Sequence, residues 1–311
     1  VENERSDGIE AVGIMTPAGD HYAIASEFIK NNVHVICDKP LTATLEDAYK
    51  LKNLVEEKNI IFALTHNYSA YPMLREAKQL VKQGKVGDIH LINVEYPQGY
   101  IAGLKKSEAE TNLKWRLDPS QVGPSMILAE IGTHAHHLIR YVTRLEIEEV
   151  CAEVQSLLPE INVDDNAFIM LRMSNQARGM IWLSSVATGG ENGLRIRIFG
   201  SKGAIDWLQD DPNTMKYTPI NMPAQIFTRA SSYLTDFSIQ SSRLAPGHPE
   251  GFFEAFSNIY TEFAEAIIAK KNNINFTSTF PTIDDGVKGI EFIFAAKESS
   301  NDNSRWVKIN N

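Results

Sequence analysis

Cysteine is scarce in this 311-residue chain, which has only Cys37 and Cys151. Both fall in apolar, strand-like stretches, so no disulfide framework is expected and a reducing, cytoplasmic setting is. No apolar run approaches the roughly 20 residues that a membrane helix needs, so no membrane partner is expected. Positive charge is also short. Lys and Arg number 30 against 39 Asp and Glu, a net charge of -9, which argues against the basic surface that nucleic acid requires. Residues 1–7 show no signal-peptide pattern. No G-x-G-x-x-G occurs at the head of the chain, where Gly8 and Gly13 flank an apolar stretch instead of following one. What is present is an ordinary globular composition, 43% hydrophobic and 22% charged, long enough for two domains.

The first part alternates strand and helix. Ile9 to Met15 reads as a buried strand stopped by Thr16-Pro17, and His21 to Asn31 as a helix with an apolar stripe at Ala23, Ile24, Phe28 and Ile29. Val33 to Cys37 is a second strand, ended by Asp38-Lys39-Pro40. Thr44 opens the next helix as a capping box with Asp47, and residues 59–64 form a third strand. This order implies parallel βαβ units in a doubly wound sheet. After a helix from Tyr71-Pro72 to Lys82 the texture changes. Residues 89–95, 149–157, 167–173, 178–186 and 194–199 are strand-like and mostly follow one another through short turns. That pattern favours an open, mostly antiparallel sheet, with helices near 124–143, 250–270 and 285–299 covering one face. The fold expected is α/β: 1–68 as one domain and 69–311 as a larger α+β one.

Two constellations carry chemistry. Asp38-Lys39-Pro40 stands at the carboxyl end of a parallel strand, where α/β folds bind ligands. A lysine there can exchange a proton with a substrate hydroxyl. Glu130 and His134 are four residues apart, which on an α-helix puts them on one face, so the carboxylate is expected to orient the imidazole and raise its basicity. His134, His136 and His137 do not all share a face and no further ligand has suitable spacing, so no metal is expected.

Taken together the motifs resemble those of the glucose–fructose oxidoreductase, inositol dehydrogenase and MocA (Gfo/Idh/MocA) family. The resemblance rests on Thr16-Pro17-x-x-x-His21, on the strand running into Asp38-Lys39-Pro40-Leu41, and on Gly123 to His134. Asn67-Tyr68-Ser69-x-Tyr71-Pro72, Trp115-Arg116-Leu117-Asp118-Pro119, Gly247-His248-Pro249-Glu250-Gly251 and Pro281-Thr282-x-Asp284-Asp285-Gly286 extend it over nearly the whole chain. It implies a Rossmann domain followed by an α/β domain whose open sheet makes a homo-oligomer interface. It also implies NAD or NADP as cofactor and a sugar, polyol or sugar-derived substrate.

By that resemblance Lys39, His134 and Glu130 are catalytic. Thr16, Pro17, His21, Asp38, Pro40, Trp115 and Arg116 lie on the cofactor side, and Asn67 and His248 join Lys39 and His134 around the substrate. Asp38 replaces the family's usual glutamate and Glu130 its usual aspartate. A Rossmann domain normally opens with a glycine-rich turn whose following helix holds the pyrophosphate. The segment 1–68 therefore reads as the C-terminal part of such a domain, with an open sheet edge. Two other uses of the fold fit the same motifs: a non-catalytic sugar-binding or assembly protein, and an enzyme that oxidises its substrate transiently to allow elimination or glycoside cleavage.

Overall fold

The computed structural model describes Arg5 and residues 8–158, 160–161 and 163–309. A parallel three-stranded sheet comes first: β1 (Ala11–Ile14), α1 (Ala18–Lys30), β2 (His34–Cys37), α2 (Leu45–Lys58) and β3 (Phe62–Leu64), with strand order β1-β2-β3. Thr44 starts α2 as its spacing suggested, its hydroxyl oxygen accepting from the Asp47 amide at 3.1 Å. The strand expected to be buried at 9–15 is not. It is shorter, β1 pairs only through β2, and Ile9 and Met15 are 43% and 72% exposed. Ile14 is buried and Val12 packs on the core, but among the described residues no strand pairs with the outer edge of β1.

The 3-10 turn Asn67–Ala70 and α3 (Pro72–Lys82) lead into β4 (Ile89–Pro97). There follow α4 (Lys106–Leu113), α5 (Pro119–Val122), a π-helical turn at Leu128–Gly132, and α6 (Thr133–Thr143). Strands β5 (Ile147–Gln155), β6 (Asn166–Met173), β7 (Arg178–Ser184) and β8 (Arg195–Gly200) fall on the strand-like segments of the sequence. Their successors β9 (Gly203–Leu208), β10 (Thr214–Pro219) and β11 (Gln225–Thr228) do not. After α7 (Asp236–Gln240), α8 (Phe252–Lys271) and α9 (Ile283–Asn301), the short β12 (Val307–Lys308) closes a nine-stranded sheet of order β11-β10-β9-β8-β4-β7-β6-β5-β12. Only the central β4·β7 pair is parallel, so the sheet is mixed but mostly antiparallel.

Alternation sorts the sheet's two faces. Ile92, Val94, Ile181, Leu183, Ile196 and Ile198 point inward to a core shared with α3, α6 and α9, while Leu91, Phe168, Met170 and Met180 stay exposed on the other face. Helices α8 and α9 also pack back on β2 and β3, and the Leu64 amide donates to the Pro281 carbonyl at 2.8 Å. One apolar core therefore runs through both sheets. A second, small core of Ile101, Ala109, Leu113, Met126 and Ile161 supports the 98–117 segment. Gly123 turns the chain after α5 at φ +83°, and a Cβ there would stand 2.7 Å from the Ala43 carbonyl oxygen, so glycine is required on both counts. Among the described residues, no helix is long and apolar enough to cross a membrane, and both cysteines are free.

Candidate active site

Strands β2 and β3 end side by side, and their ends are tied together. The Asp38 carboxylate accepts from the Lys39 amide at 2.9 Å and from the Thr65 hydroxyl at 2.6 Å. The next bond, Lys39–Pro40, is cis. His21, fully buried on α1, lies between this turn and the end of β1. Its Nε2 is 2.8 Å from the Thr16 carbonyl oxygen, and its Nδ1 is 3.0 and 3.1 Å from those of Pro40 and Leu41. His21 and Asp38 therefore brace the turn; His21 is buried and presents no surface to a ligand, whereas Asp38 stays partly exposed. Thr16 is exposed at the end of β1, Pro17 precedes α1 as its N-cap, and Pro40 is buried.

The turn delivers Lys39 into a cleft of about 620 Å³. Its ammonium group donates to the backbone carbonyl of Glu130 at 2.8 Å. Arg116, Glu130 and His134 line the same cleft, so four of the residues singled out from sequence are brought together. The expected Glu130–His134 partnership does not form. The carboxylate of Glu130 turns instead to Arg116, Oε2 to Nε at 3.0 Å. Two physical reasons account for this: residues 128–132 form a π-turn, which shifts the angular offset assumed for an α-helix, and a guanidinium is the stronger partner for a carboxylate. Burial pushes the Glu130 carboxyl up, but Lys39 and Arg116 outweigh it and hold it below the usual range.

His134 is consequently less basic than an ordinary imidazole, the reverse of the expectation. Burial lowers its pKa well below the usual value, and the positive charge of Lys39 adds to that. It is a neutral imidazole at physiological pH. Its ring meets Tyr68 edge-on at 4.9 Å and His66 at 5.5 Å between centroids. The buried Nδ1 finds no protein hydrogen-bond partner.

Three other residues singled out from sequence stand outside the cleft lining. Asn67 is 1% exposed. His248 is exposed on its loop and contributes its backbone carbonyl to Arg229. Trp115 stacks its indole against the Arg116 guanidinium at 4.4 Å.

Sequence reasoning missed the rest of the cleft. The Tyr68 and Tyr96 hydroxyls share a 2.5 Å hydrogen bond. Asn192 donates to Tyr68 at 3.3 Å and to Gln209 at 2.8 Å, and it accepts from Gln98 at 2.5 Å. Tyr96, Gln98 and Asn192 thus offer a polar wall, with Tyr100, Asn112 and Phe252 around the mouth. Position gave a signal for some of these: His66 and Tyr96–Gln98 follow or close strands whose carboxyl ends face the crevice. Asn192, in an irregular loop, gave none. Among the described residues, no group of three or more His, Cys, Asp or Glu could hold a metal ion.

Comparison with known proteins agrees with this architecture. Residues 2–66 match the oxidoreductase family with an NAD-binding Rossmann fold, and residues 74–206 match the GFO/IDH/MocA C-terminal domain. An uncharacterised oxidoreductase of Bacillus subtilis is 36% identical over 313 residues, covering 99% of this chain and 80% of its own length. Levoglucosan dehydrogenase of Pseudarthrobacter phenanthrenivorans is 29% identical over 63% of this chain and 55% of its own. Among solved structures, an inositol dehydrogenase homolog from Azotobacter vinelandii, complexed with NAD+, superposes with a TM-score of 0.92 at 30% identity, over 99% of this chain and 80% of that one. An oxidoreductase from Sinorhizobium meliloti does so with a TM-score of 0.88 at 41% identity, over 99% and 81%. With both family models and a 36% identical relative matched over nearly the whole chain, the chain belongs to the GFO/IDH/MocA family of oxidoreductases.

Proposed function

We propose that the cleft oxidises a secondary hydroxyl of a sugar or polyol, reversibly, with NAD or NADP as partner, and that residues 1–68 supply the cofactor wall and 69–311 the substrate wall. One observation carries the reading: an ammonium group, Lys39 Nζ, and a neutral imidazole, His134, converge in one polar cleft at the carboxyl ends of parallel strands. The Azotobacter homolog has also been crystallised with NADH and myo-inositol, which supports a polyol in this class of cleft.

The residues present fit the nicotinamide end of such a cofactor. The exposed Thr16, Pro17 at the start of α1, and the Lys39–Pro40 turn stand at strand ends, the position at which doubly wound sheets hold ligands. A bound nicotinamide supplies the hydride acceptor. The protein supplies the rest. His134, neutral and therefore free to accept, takes the hydroxyl proton. Lys39 places its positive charge where the alkoxide develops, and the carbonyl of Glu130 fixes that charge in position. Arg116 neutralises the Glu130 carboxylate, which keeps the anion from pairing with Lys39. Tyr96, Gln98 and Asn192 present donors and acceptors to the remaining hydroxyls, the arrangement that selects a polyhydroxylated ligand over an apolar one.

The test is NADH formation from NAD+, and NADPH formation from NADP+, against a panel that includes myo-inositol, scyllo-inositol, levoglucosan and glucose. Turnover of at least one member is expected. Tight sugar binding without reduced cofactor, or product formation without net NADH, would replace this reading by binding or by transient oxidation.

We further infer a homo-oligomer, dimer or tetramer, built through the outer face of the nine-stranded sheet. Leu91, Phe168, Met170 and Met180 are 43–52% exposed there, beside the Arg195–Asp206 and Arg197–Glu95 ion pairs. Contiguous exposed apolar surface rimmed by charge is the usual mark of an interface. Light scattering on wild type and on Met170→Lys reads this: a monomeric wild type would rule it out.

A further inference from the structure

Behind His134 the cleft does not end in an apolar core. His66, at the end of β3, stands between His134 and His137, its ring 5.5 Å from the first and stacked on the second at 4.4 Å and 11°. All three rings are at least nine-tenths buried. Nδ1 of His134, Nδ1 of His66 and both ring nitrogens of His137 have no protein hydrogen-bond partner. Such groups are seldom left unpaired in a native interior, where each would cost about 1–3 kcal/mol, and a polar pocket of this kind takes up buried water. Beyond His137 lies Asp285 at the start of α9, Nδ1 to Oδ1 3.9 Å, with 27% of its side chain exposed. Asp285 also accepts from Arg140 at 3.0 Å.

We propose that His66 and His137 form a proton path that connects the active-site imidazole of His134 with solvent at Asp285, which lies outside the cleft lining. The inference rests on the oxidoreductase reading given above and deepens it. A path of this kind has a use: substrate and cofactor together fill the cleft mouth during turnover, so the proton released with each oxidation needs another exit.

The balance is simple and involves no redox partner. The substrate O–H bond breaks and an N–H bond forms on the cleft side of His134. The proton on its Nδ1 passes through buried water to His66. His66 and then His137 each accept at one ring nitrogen and release at the other. Asp285 takes up the proton and loses it to bulk water. In the reductive direction the sequence reverses. Neutral imidazoles suit this, because each has a donor and an acceptor nitrogen. Burial keeps all three neutral at rest, and the cations that face them act in the same direction: Lys39 from the end of β2, Lys78 of α3 and Arg140 of α6. Asp285 of α9 opposes them at His66. Tyr141 of α6 borders the His137 end, and Arg75 of α3 and Glu262 of α8 face it in turn. His66 and His137 touch no reacting atom and act only through His134.

The test reads proton movement directly. In 15N-histidine-labelled protein, the exchange rate of the His134 ring proton with water is measured by NMR in wild type and in His66→Gln, His137→Gln and Asp285→Asn. Glutamine keeps a donor and an acceptor in the pocket but does not take a proton at one atom and release it at another. Exchange is expected to slow by about tenfold or more in both glutamine variants, less in Asp285→Asn, and not at all in His136→Phe, whose ring stacks on Phe292 off the path. Unchanged exchange in the glutamine and Asp285→Asn variants would overturn the path. If one glutamine variant fails to fold, the other and Asp285→Asn still decide. Because this readout needs neither cofactor nor substrate, its failure is distinct from a failure of the proposed activity. With the fastest polyol of the panel, an intact path also requires the glutamine variants to lower kcat with KM unchanged and to enlarge the solvent deuterium isotope effect.

Discussion

Two cationic sites in this chain are built on opposite principles. At the loop before α8, Arg229 and Glu250 are 2% and 5% exposed and joined at 2.9 Å. Arg229 spends its remaining donors on the carbonyls of Leu244, Ala245 and His248 and on the Asn213 side chain. The same oxygen of Glu250 also accepts from the amides of Arg243 and Leu244. At the Lys39 site, by contrast, the ammonium group has one protein acceptor, a backbone carbonyl. Three imidazoles behind it keep unpaired nitrogens. A cation whose five donors are all used fixes a loop, even though Oε2 of Glu250 stays unpartnered; a cation with one acceptor leaves valences for a ligand or a proton. The difference decides which motif is a site, and it is visible only in three dimensions.

The largest effect expected from breaking this contrast is on stability. Arg229→Ala strands the Glu250 carboxylate and should destabilise the fold by about 3–5 kcal/mol, read by urea unfolding, with KM for the polyol unchanged in the folded fraction. Lys39→Ala should do the opposite. It removes the charge aimed at the alkoxide and should lower kcat by about 10²–10³-fold while the unfolding midpoint moves little. A stable Arg229→Ala protein with poor turnover would invert the assignment of the two sites.

A smaller effect per residue is set by pH. His66, His134, His136 and His137 all have pKa values pushed well below the usual 6.5 by burial. The unfolded chain therefore binds more protons than the folded one once pH drops below about 6.5. Stability is full above that value and declines as pH falls, by up to about 1.4 kcal/mol per pH unit for each histidine. His136→Phe should flatten the slope by one proton's worth, measured as the pH dependence of unfolding free energy. The smallest effect belongs to His248→Ala. An exposed side chain that contributes only its backbone carbonyl should change stability by less than about 0.5 kcal/mol and leave turnover as it was.

Much of this was legible in sequence because short-range rules governed it. The strand-like segments of β4 to β8, the cap at Thr44 and the strand running into Asp38-Lys39-Pro40 follow from local periodicity and steric preference. Lys39 and His134 could be singled out because a strand end and a helix start fix where they stand. What failed were inferences about partners. Glu130 prefers Arg116 to His134, a choice made by a residue 14 positions earlier in the sequence and by a π-turn that spacing alone does not announce. The bracing roles of His21 and Asp38, through backbone carbonyls and the Thr65 hydroxyl, depend on groups distant in sequence and could not be read from spacing. Asn192 and the strands β9–β11 carried too little pattern to be read at all.

The central claim is that Lys39 and His134 act on the same hydroxyl, one on its charge and the other on its proton. A double-mutant cycle of Lys39→Ala and His134→Gln, read as the single-turnover rate of hydride transfer from the best polyol to NAD+, tests it most directly. The two losses are expected to be strongly non-additive, the double variant falling little below the slower single one. Losses that simply multiply, or a single variant that turns over at the wild-type rate, would contradict it.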